Sequence, residues 1–196
     1  AADQIVAVSS KLAEKLKMCG TLTPITVILN GFNIANVNSN TKRDMFSVIQ
    51  VSHLQRQKRV NVTIEAFAAL KKLYSQATLT IIGDGPLKEE LENLCKKLGV
   101  VESVKFLGHL TNSQVLKEMS RHQFFIMPSV NEGFGIVYME AMASGCLTIG
   151  TEKEGISDVI HDHDNGFLVE ADAPNQIVEA MVWCLNHQEA ADEIAN

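Results

Sequence analysis

Short apolar runs alternate with amphipathic stretches along most of this 196-residue chain. Runs at 47–52, 78–82, 104–107 and 124–127 have the length and composition of strands, and a stretch with helical periodicity follows each of them. Alternating strands and helices predict a parallel sheet covered by helices on both faces. The runs at 78–82 and 124–127 lack the polar/apolar alternation of half-exposed strands, which is typical of strands buried on both faces. The sequence therefore predicts a Rossmann-like α/β domain over residues 47–196. The predicted helices cover 61–73, 87–98, 113–121, 136–144, 156–160 and 174–186, and the other predicted strands cover 147–150 and 166–169.

The first 46 residues have a different pattern. A strand at 3–9, a helix at 10–17 and a second strand at 25–29 form one β-α-β unit, and residues 33–46 are polar and rich in asparagine. One such unit is too small to form its own core. We therefore predict that residues 1–46 are the tail of a larger domain that this chain lacks, followed by a connector.

A glycine-rich turn lies between two glutamates, directly after the apolar run at 124–127. Glu132 and Glu140 flank this turn, and a helix is predicted to begin near Ile136. The free N–H groups at the start of such a helix bind anions, whereas carboxylates accept hydrogen bonds from hydroxyls. Phosphate donors beside hydroxyl acceptors predict a sugar nucleotide as the ligand.

The net charge of the chain is −6 at pH 7, so the chain as a whole does not attract a diphosphate. Positively charged groups at the binding site itself must offset the charge of the ligand. The segment Arg56-Gln57-Lys58-Arg59 follows the first strand of the domain, and we favour Lys58 over either arginine as the phosphate contact. Two or three charge-assisted hydrogen bonds of about 1.5–3 kcal/mol each, together with the helix dipole, would suffice for micromolar binding at about 8 kcal/mol. No metal is needed, and His161-Asp162-His163-Asp164 is more typical of a solvated turn than of a metal site.

Composition argues against several other classes. Apolar residues make up 46% and charged residues 20% of the chain, which is ordinary for a soluble globular protein. The negative net charge disfavours nucleic acid or an anionic membrane as the main partner. The four cysteines show no CxxC spacing, which fits reduced thiols in the cytoplasm. No GxGxxG follows the first strand, so an NAD-dependent enzyme is not favoured.

Five segments, in order, resemble motifs of the retaining GT-B glycosyltransferases of group 1 (family 4). The chain from Val51 to Arg59 resembles "GRL…KG", Leu79 to Pro86 "L.I.G.GP", Val104 to Gly108 "V.F.G", Pro128 to Gly145 "PS..EGFG…EAMA.G", and Gly155 to Val169 "GG..E.I….G.LV". The fourth segment contains the E-x7-E pair, Glu132 and Glu140. Upstream, residues 2–9 and 28–32 resemble the end of the acceptor domain and its linker.

The resemblance implies the C-terminal, donor-binding half of a GT-B fold. Such enzymes transfer a glycosyl group from a nucleoside-diphosphate sugar with retention, usually without a metal or other cofactor. By analogy the catalytic candidates are Lys58, at the donor phosphates, and Glu132, at the hydroxyls of the transferred sugar. Glu140 would hold the ribose, the backbone of 134–137 the sugar and phosphates, and the 107–110 loop the edge of the base. The candidate donor-binding residues are His53, Gly85, Leu107, His109, Phe134, Gly135, Ile136, Val137 and Glu140.

Two positions depart from the family pattern, with His53 in place of arginine and Asp158 in place of glutamate. Histidine at position 53 lacks the rigid fork of N–H groups that an arginine would present. The affinity for the sugar-nucleotide donor, or the identity of that donor, is therefore in question. The resemblance implies a cytoplasmic enzyme of cell-surface polysaccharide or glycolipid synthesis, and is compatible with peripheral membrane association of the full-length protein. An N-terminal acceptor domain is the expected partner, so this fragment should bind donor better than it transfers sugar. A non-catalytic nucleotide-sugar-binding subunit and a GT-B-type sugar-nucleotide epimerase remain as alternatives.

Overall fold

The computed structural model describes residues 2–33 and 43–195. Its N-terminal unit is a two-stranded parallel sheet with one helix, as predicted, although the strands are shorter. These elements are β1 (Ile5–Ala7), α1 (Ser10–Met18) and β2 (Ile25–Val27). Most of the predicted connector, residues 34–42, lies outside the described residues.

The remainder of the chain alternates strands with helices. The strands are β3 (Asp44–Val51), β4 (Thr78–Ile82), β5 (Val104–Gly108), β6 (His122–Ile126), β7 (Leu147–Thr151) and β8 (Phe167–Val169). The helices are α2 (Val60–Leu73), α3 (Lys88–Leu98), α4 (Asn112–Met119), α5 (Ile136–Ala143), α6 (Pro174–Asn186) and α7 (Gln188–Ala195). Within the two described ranges, no helix has both the length and the apolar content to cross a bilayer.

All six strands of the larger sheet are parallel, in the order β5-β4-β3-β6-β7-β8. The chain builds outward from β3 to β5, then returns to the other side of β3 and continues from β6 to β8. This arrangement confirms the predicted Rossmann-like sheet. The change of direction leaves a crevice beyond the carboxyl ends of β3 and β6, which is where open α/β sheets bind ligands.

Successive residues of the two central strands pack into two different cores. Val48 on β3 and Phe124 on β6 belong to the core that also contains residues of α2, α3, α6 and α7. Ile49 and Phe125, the next residues along, belong to the core formed with α4 and α5. All four are fully buried. The two-residue period of a strand sends neighbours to opposite faces, so burial of both faces explains the continuous apolar runs.

Three local predictions differ from the structure. The strand β3 begins at Asp44 rather than Ser47, because Asp44 N–H already bonds to Arg121 O at 3.2 Å. The predicted helix at 156–160 is only a 3₁₀ turn, Gly155–Asp158. The helix α7 was not predicted; it is short, and Ala191 is its one fully buried residue.

Candidate functional site

A cleft of about 410 Å³ lies beyond the carboxyl ends of β3 and β6. It is lined by residues from the ends of four strands and the loops after them, and from α4 and α5. Seven of the predicted site residues line it: His53, Lys58, His109, Glu132, Gly135, Val137 and Glu140. A smaller cavity of about 220 Å³ near Arg43 and Gln123 contains none of the predicted site residues.

Lys58 and Glu132 form an ion pair inside the cleft, with side chains 20% and 15% exposed. Two hydrogen bonds fix the loop that contains the lysine. The fully buried Gln50 of β3 donates from Nε2 to Lys58 O at 2.9 Å, and Val130 N–H donates to Gln57 O at 2.8 Å. The second bond joins the loop after β3 to the loop after β6. The sheet therefore holds the cation and the carboxylate beside each other.

The two arginines near Lys58 lie outside the cleft lining. Arg59 has φ 49° and ends the 3₁₀ turn Arg56–Lys58, where the chain enters α2. Its Nε lies 2.9 Å from Asp172 Oδ1 in an ion pair, without a hydrogen bond between them. The Arg56 side chain is exposed to solvent. Of the three cations, Lys58 alone is among the residues that line the cleft.

The N-terminus of α5 opens at the cleft. Gly135 precedes it with φ 79°, and a Cβ at this position would lie 2.7 Å from the ring of Tyr138. Among the described residues, no side chain caps this end, and the first turn has no acidic residue. The neighbouring helix α4 differs, because Thr111 and Gln114 form a reciprocal capping box there. The start of α5 thus retains the N–H groups and the dipole that attract an anion.

Tyr138, whose ring adjoins Gly135, is itself held in place by three contacts. Its hydroxyl donates to Met127 O and lies 3.2 Å from Ser129 Oγ, and its ring packs edge-on against Phe125. Burial raises the pKa of the Tyr138 hydroxyl well above its usual range, so the group remains a neutral donor. The residue that makes glycine necessary at position 135 is therefore itself fixed to the end of β6.

The loop that contains Glu132 is held from two further directions. Glu132 N–H donates to a Glu154 carboxylate oxygen at 3.1 Å, and Gly155 N–H donates to Glu132 O at 3.2 Å. From the N-terminal unit, the fully buried Ser9 donates its hydroxyl to Gly133 O at 2.5 Å, while the same oxygen caps α1. Local sequence patterns do not indicate such partners, because each pair joins distant segments.

Asp158, the second departure from the family pattern, also contacts the N-terminal unit. Its Oδ2 accepts a hydrogen bond from Ser10 N–H at 2.5 Å, in the first turn of α1. A carboxylate near a helix N-terminus is favourable. The shorter side chain at position 158 therefore still reaches a partner.

The glycine loop after β4 serves two purposes. Gly83 and Asp84 line the cleft, whereas Gly85 lies outside the lining and packs against the backbone of Leu54. A Cβ at position 85 would lie 2.6 Å from Leu54 O. This loop is therefore both a tight turn against the loop after β3 and part of the cleft lining.

Three other predicted donor-binding residues also lie outside the cleft lining. Phe134 is buried at 3% exposure, whereas Leu107 and Ile136 are exposed at 40% and 43%. The contacts expected of residues 134–137 are made by backbone atoms. The positions of these side chains therefore do not test the predicted roles, which stay predictions. Sequence reasoning did not identify Ser52 and Val115 as lining residues.

Glu140 also lines the cleft and is held by α4. Asn112 Nδ2 donates to Glu140 Oε1 at 2.8 Å. The two histidines of the lining, His53 and His109, have exposed side chains. In the described part of the chain, no three His, Cys, Asp or Glu side chains are grouped so that they could hold a metal ion.

Comparison with known proteins establishes the family. The model described as "Glycosyl transferases group 1" matches residues 33–196. The chain belongs to the group 1 glycosyltransferases. One relative of this glycosyltransferase is the N-acetylgalactosamine-N,N'-diacetylbacillosaminyl-diphospho-undecaprenol 4-alpha-N-acetylgalactosaminyltransferase of Campylobacter jejuni. The two are 31% identical over 160 residues, which cover 79% of this chain and 42% of the relative.

Solved structures of glycosyltransferases share the fold. A TarM mutant from S. aureus, in complex with Fondaparinux, alpha-GlcNAc-glycerol and UDP, matches 98% of this chain and 39% of its own, with a TM-score of 0.89 and 21% identity. Anabaena Alr3699/HepE, in complex with UDP and glucose, matches 100% of this chain and 56% of its own, with a TM-score of 0.87 and 22% identity. This glycosyltransferase chain therefore spans less than two thirds of the length of each of these three proteins. The comparisons favour neither the non-catalytic subunit nor the epimerase.

Proposed function

We propose that this chain is the donor-binding part of a glycosyltransferase that uses a nucleoside-diphosphate sugar and transfers the sugar with retention, without a metal or other cofactor. The observation behind the proposal is the composition of the cleft, which is lined by Lys58, the uncapped start of α5 and two glutamates, Glu132 and Glu140. These groups complement a ligand with a central diphosphate and a hydroxyl-bearing ring on each side. UDP in complexes of the similar structures supports the same ligand class.

Each part of the ligand has a proposed partner. Lys58 and the first N–H groups of α5 would bind the diphosphate, with the 134–137 backbone close to it. Glu132 would accept hydrogen bonds from the transferred sugar and Glu140 from the ribose, while the 107–110 loop would border the base. Because Lys58 already pairs with Glu132, the diphosphate must share or replace that contact when it binds.

The same groups would assist departure of the nucleotide. Negative charge grows on the diphosphate as the glycosidic bond breaks, and fixed donors that face this charge stabilise the transition state. Lys58 is partly buried and its loop is bonded to β3, so the ammonium group needs little reorganisation. This chain's contribution to the rate would be electrostatic, with the acceptor bound elsewhere.

We also propose that residues 2–33 belong to the acceptor domain of the complete enzyme. Val6, Ile28 and Leu22 in this unit are exposed by 57%, 57% and 98%. Exposed apolar side chains of a unit this small are stabilised when another layer of structure covers them. As a separate part of the proposal, the complete enzyme acts in the cytoplasm in polysaccharide or glycolipid synthesis and associates peripherally with a membrane.

Isothermal titration calorimetry with UDP, GDP and ADP tests the donor site. At least one should bind with micromolar affinity, about 8 kcal/mol, and EDTA should have no effect. Lys58→Met should weaken that binding roughly tenfold or more, because a charge-assisted hydrogen bond contributes about 1.5–3 kcal/mol. Arg56→Met, which removes an exposed cation from the same turn, is the matched control. Absence of binding by all three nucleotides at millimolar concentration would refute the proposal.

A further inference from the structure

The hydrogen bond from Asn112 to Glu140 joins two helices at the edge of the cleft. Asn112 is the first residue of α4, and Glu140 lies on α5. The Asn112 side chain is exposed, and the pair is separated by 28 positions in the chain. Neither core packing nor a helical i,i+4 relation therefore accounts for the contact.

The backbone of Asn112 has a fixed position. Thr111 N–H donates to Gln114 Oε1 at 2.9 Å, and Gln114 N–H donates back to Thr111 Oγ1 at 3.4 Å, which closes the capping box around the start of α4. One turn further on, Val115 and Leu116 pack in the same core as Tyr138 of α5. The donor at position 112 is thus presented to α5 by a capped and well-packed helix.

The contact leaves most of the carboxylate available. A carboxylate has about four lone-pair sites, and Asn112 uses one of them, on Oε1. A free glutamate side chain must be immobilised when it binds a ligand, and this immobilisation costs affinity. A carboxylate already held by Asn112 has lost that freedom before the ligand arrives.

We propose that Asn112 is a positioning residue that orients Glu140 toward the ribose hydroxyls and so sets the preference of the cleft for ribonucleotides. This inference rests on the proposed function, since it requires a nucleotide in the cleft. It adds a residue outside the E-x7-E pair that acts through Glu140. The N-terminal position of Asn112 on α4 lets one side chain link the cap of α4 to the sugar edge of the nucleotide.

The test compares two ligands that differ only in the groups Glu140 would bind. Calorimetry measures the affinity of the wild-type chain, Asn112→Ala and Glu140→Ala for whichever of UDP, GDP and ADP binds best, and for its 2′,3′-dideoxy counterpart. Asn112→Ala should weaken the ribonucleotide roughly 2- to 10-fold, the range expected for freeing one side chain, and change the dideoxy compound less than about 2-fold. In the Glu140→Ala background, Asn112→Ala should have no further effect.

Two more variants separate positioning from structure. Ser113→Ala alters the adjacent exposed residue of the same helical turn and should leave both affinities unchanged. Asn112→Asp keeps the size but replaces the donor with a second carboxylate, so it should reduce the ribonucleotide preference at least as much as Asn112→Ala.

Equal losses for the two ligands, or tighter ribonucleotide binding by Asn112→Ala, would overturn the positioning role while leaving the donor site intact. If the wild-type chain binds none of the three nucleotides, the proposed function fails and this inference fails with it. The ratio of the two affinities is insensitive to a general loss of folded protein, so an unstable variant does not imitate the expected result.

Discussion

Gly135→Ala should destabilise this protein strongly, because two separate features require glycine at that position. The residue has φ 79°, in the left-handed region, and a Cβ would lie 2.7 Å from two ring atoms of Tyr138. The ring cannot easily retreat, since its hydroxyl bonds to Met127 O and the ring packs edge-to-face with that of Phe125.

The cost can be estimated from these two features. A left-handed conformation costs an L-residue roughly 1–2 kcal/mol, and overpacking typically costs about 1–3 kcal/mol. The reduced entropy of the unfolded chain returns about 0.4–1 kcal/mol when alanine replaces glycine. The net loss should be about 1–5 kcal/mol, which for a chain of this size lowers the melting temperature by roughly 2–20 °C.

Gly133→Ala is the matched control in the same loop. Within the described residues no heavy atom lies within 4 Å of a Cβ at position 133, and its φ lies outside the left-handed region. Urea unfolding followed by circular dichroism should therefore give Gly133→Ala a stability within about 1 kcal/mol of the wild type. If Gly135→Ala loses no more stability than Gly133→Ala, neither the left-handed φ nor the Tyr138 ring requires glycine at position 135, and the reasoning is refuted.

Two further substitutions test the ion pair in the cleft and the protonation of a buried histidine. Glu132→Gln should tighten nucleoside diphosphate binding by up to roughly 5-fold, because Lys58 is released from an ion pair worth about 0.2–1 kcal/mol, while the sugar-bearing donor gains less. Calorimetry with UDP and UDP-glucose measures the two affinities. Equal changes in both affinities would contradict separate roles for Glu132 at the sugar and Lys58 at the diphosphate. Burial lowers the pKa of His122 below its usual 6.5, so the unfolded chain takes up the proton first and stability should fall as the pH drops below 6.5. His122→Gln should flatten that part of the curve of unfolding free energy against pH, and parallel curves would contradict this cause.

Local sequence signals were sufficient for most of the elements. Gly99 has φ 71° at the end of α3, and the side chain of Thr111 caps α4, as local capping rules lead one to expect. Helix ends depend on residues within a few positions of each other, so one sequence contains the required information. The apolar runs likewise indicated strands buried on both faces. The elements that sequence reasoning missed were the charged, exposed start of β3 and the short helix α7.

The sequence by itself also determined the types of chemical group available, since the glutamates at 132 and 140 and the glycine turn between them lie in one short segment. Only the tertiary structure decided their partners. Lys58 meets Glu132 across 74 positions, and Ser9 meets Gly133 across 124. Such pairs depend on the order of strands in the sheet, which places the ends of β3 and β6 side by side although β4 and β5 intervene in the chain. Periodicity and capping rules extend over a few residues, and contacts between loops at the crossover of a sheet lie beyond that range.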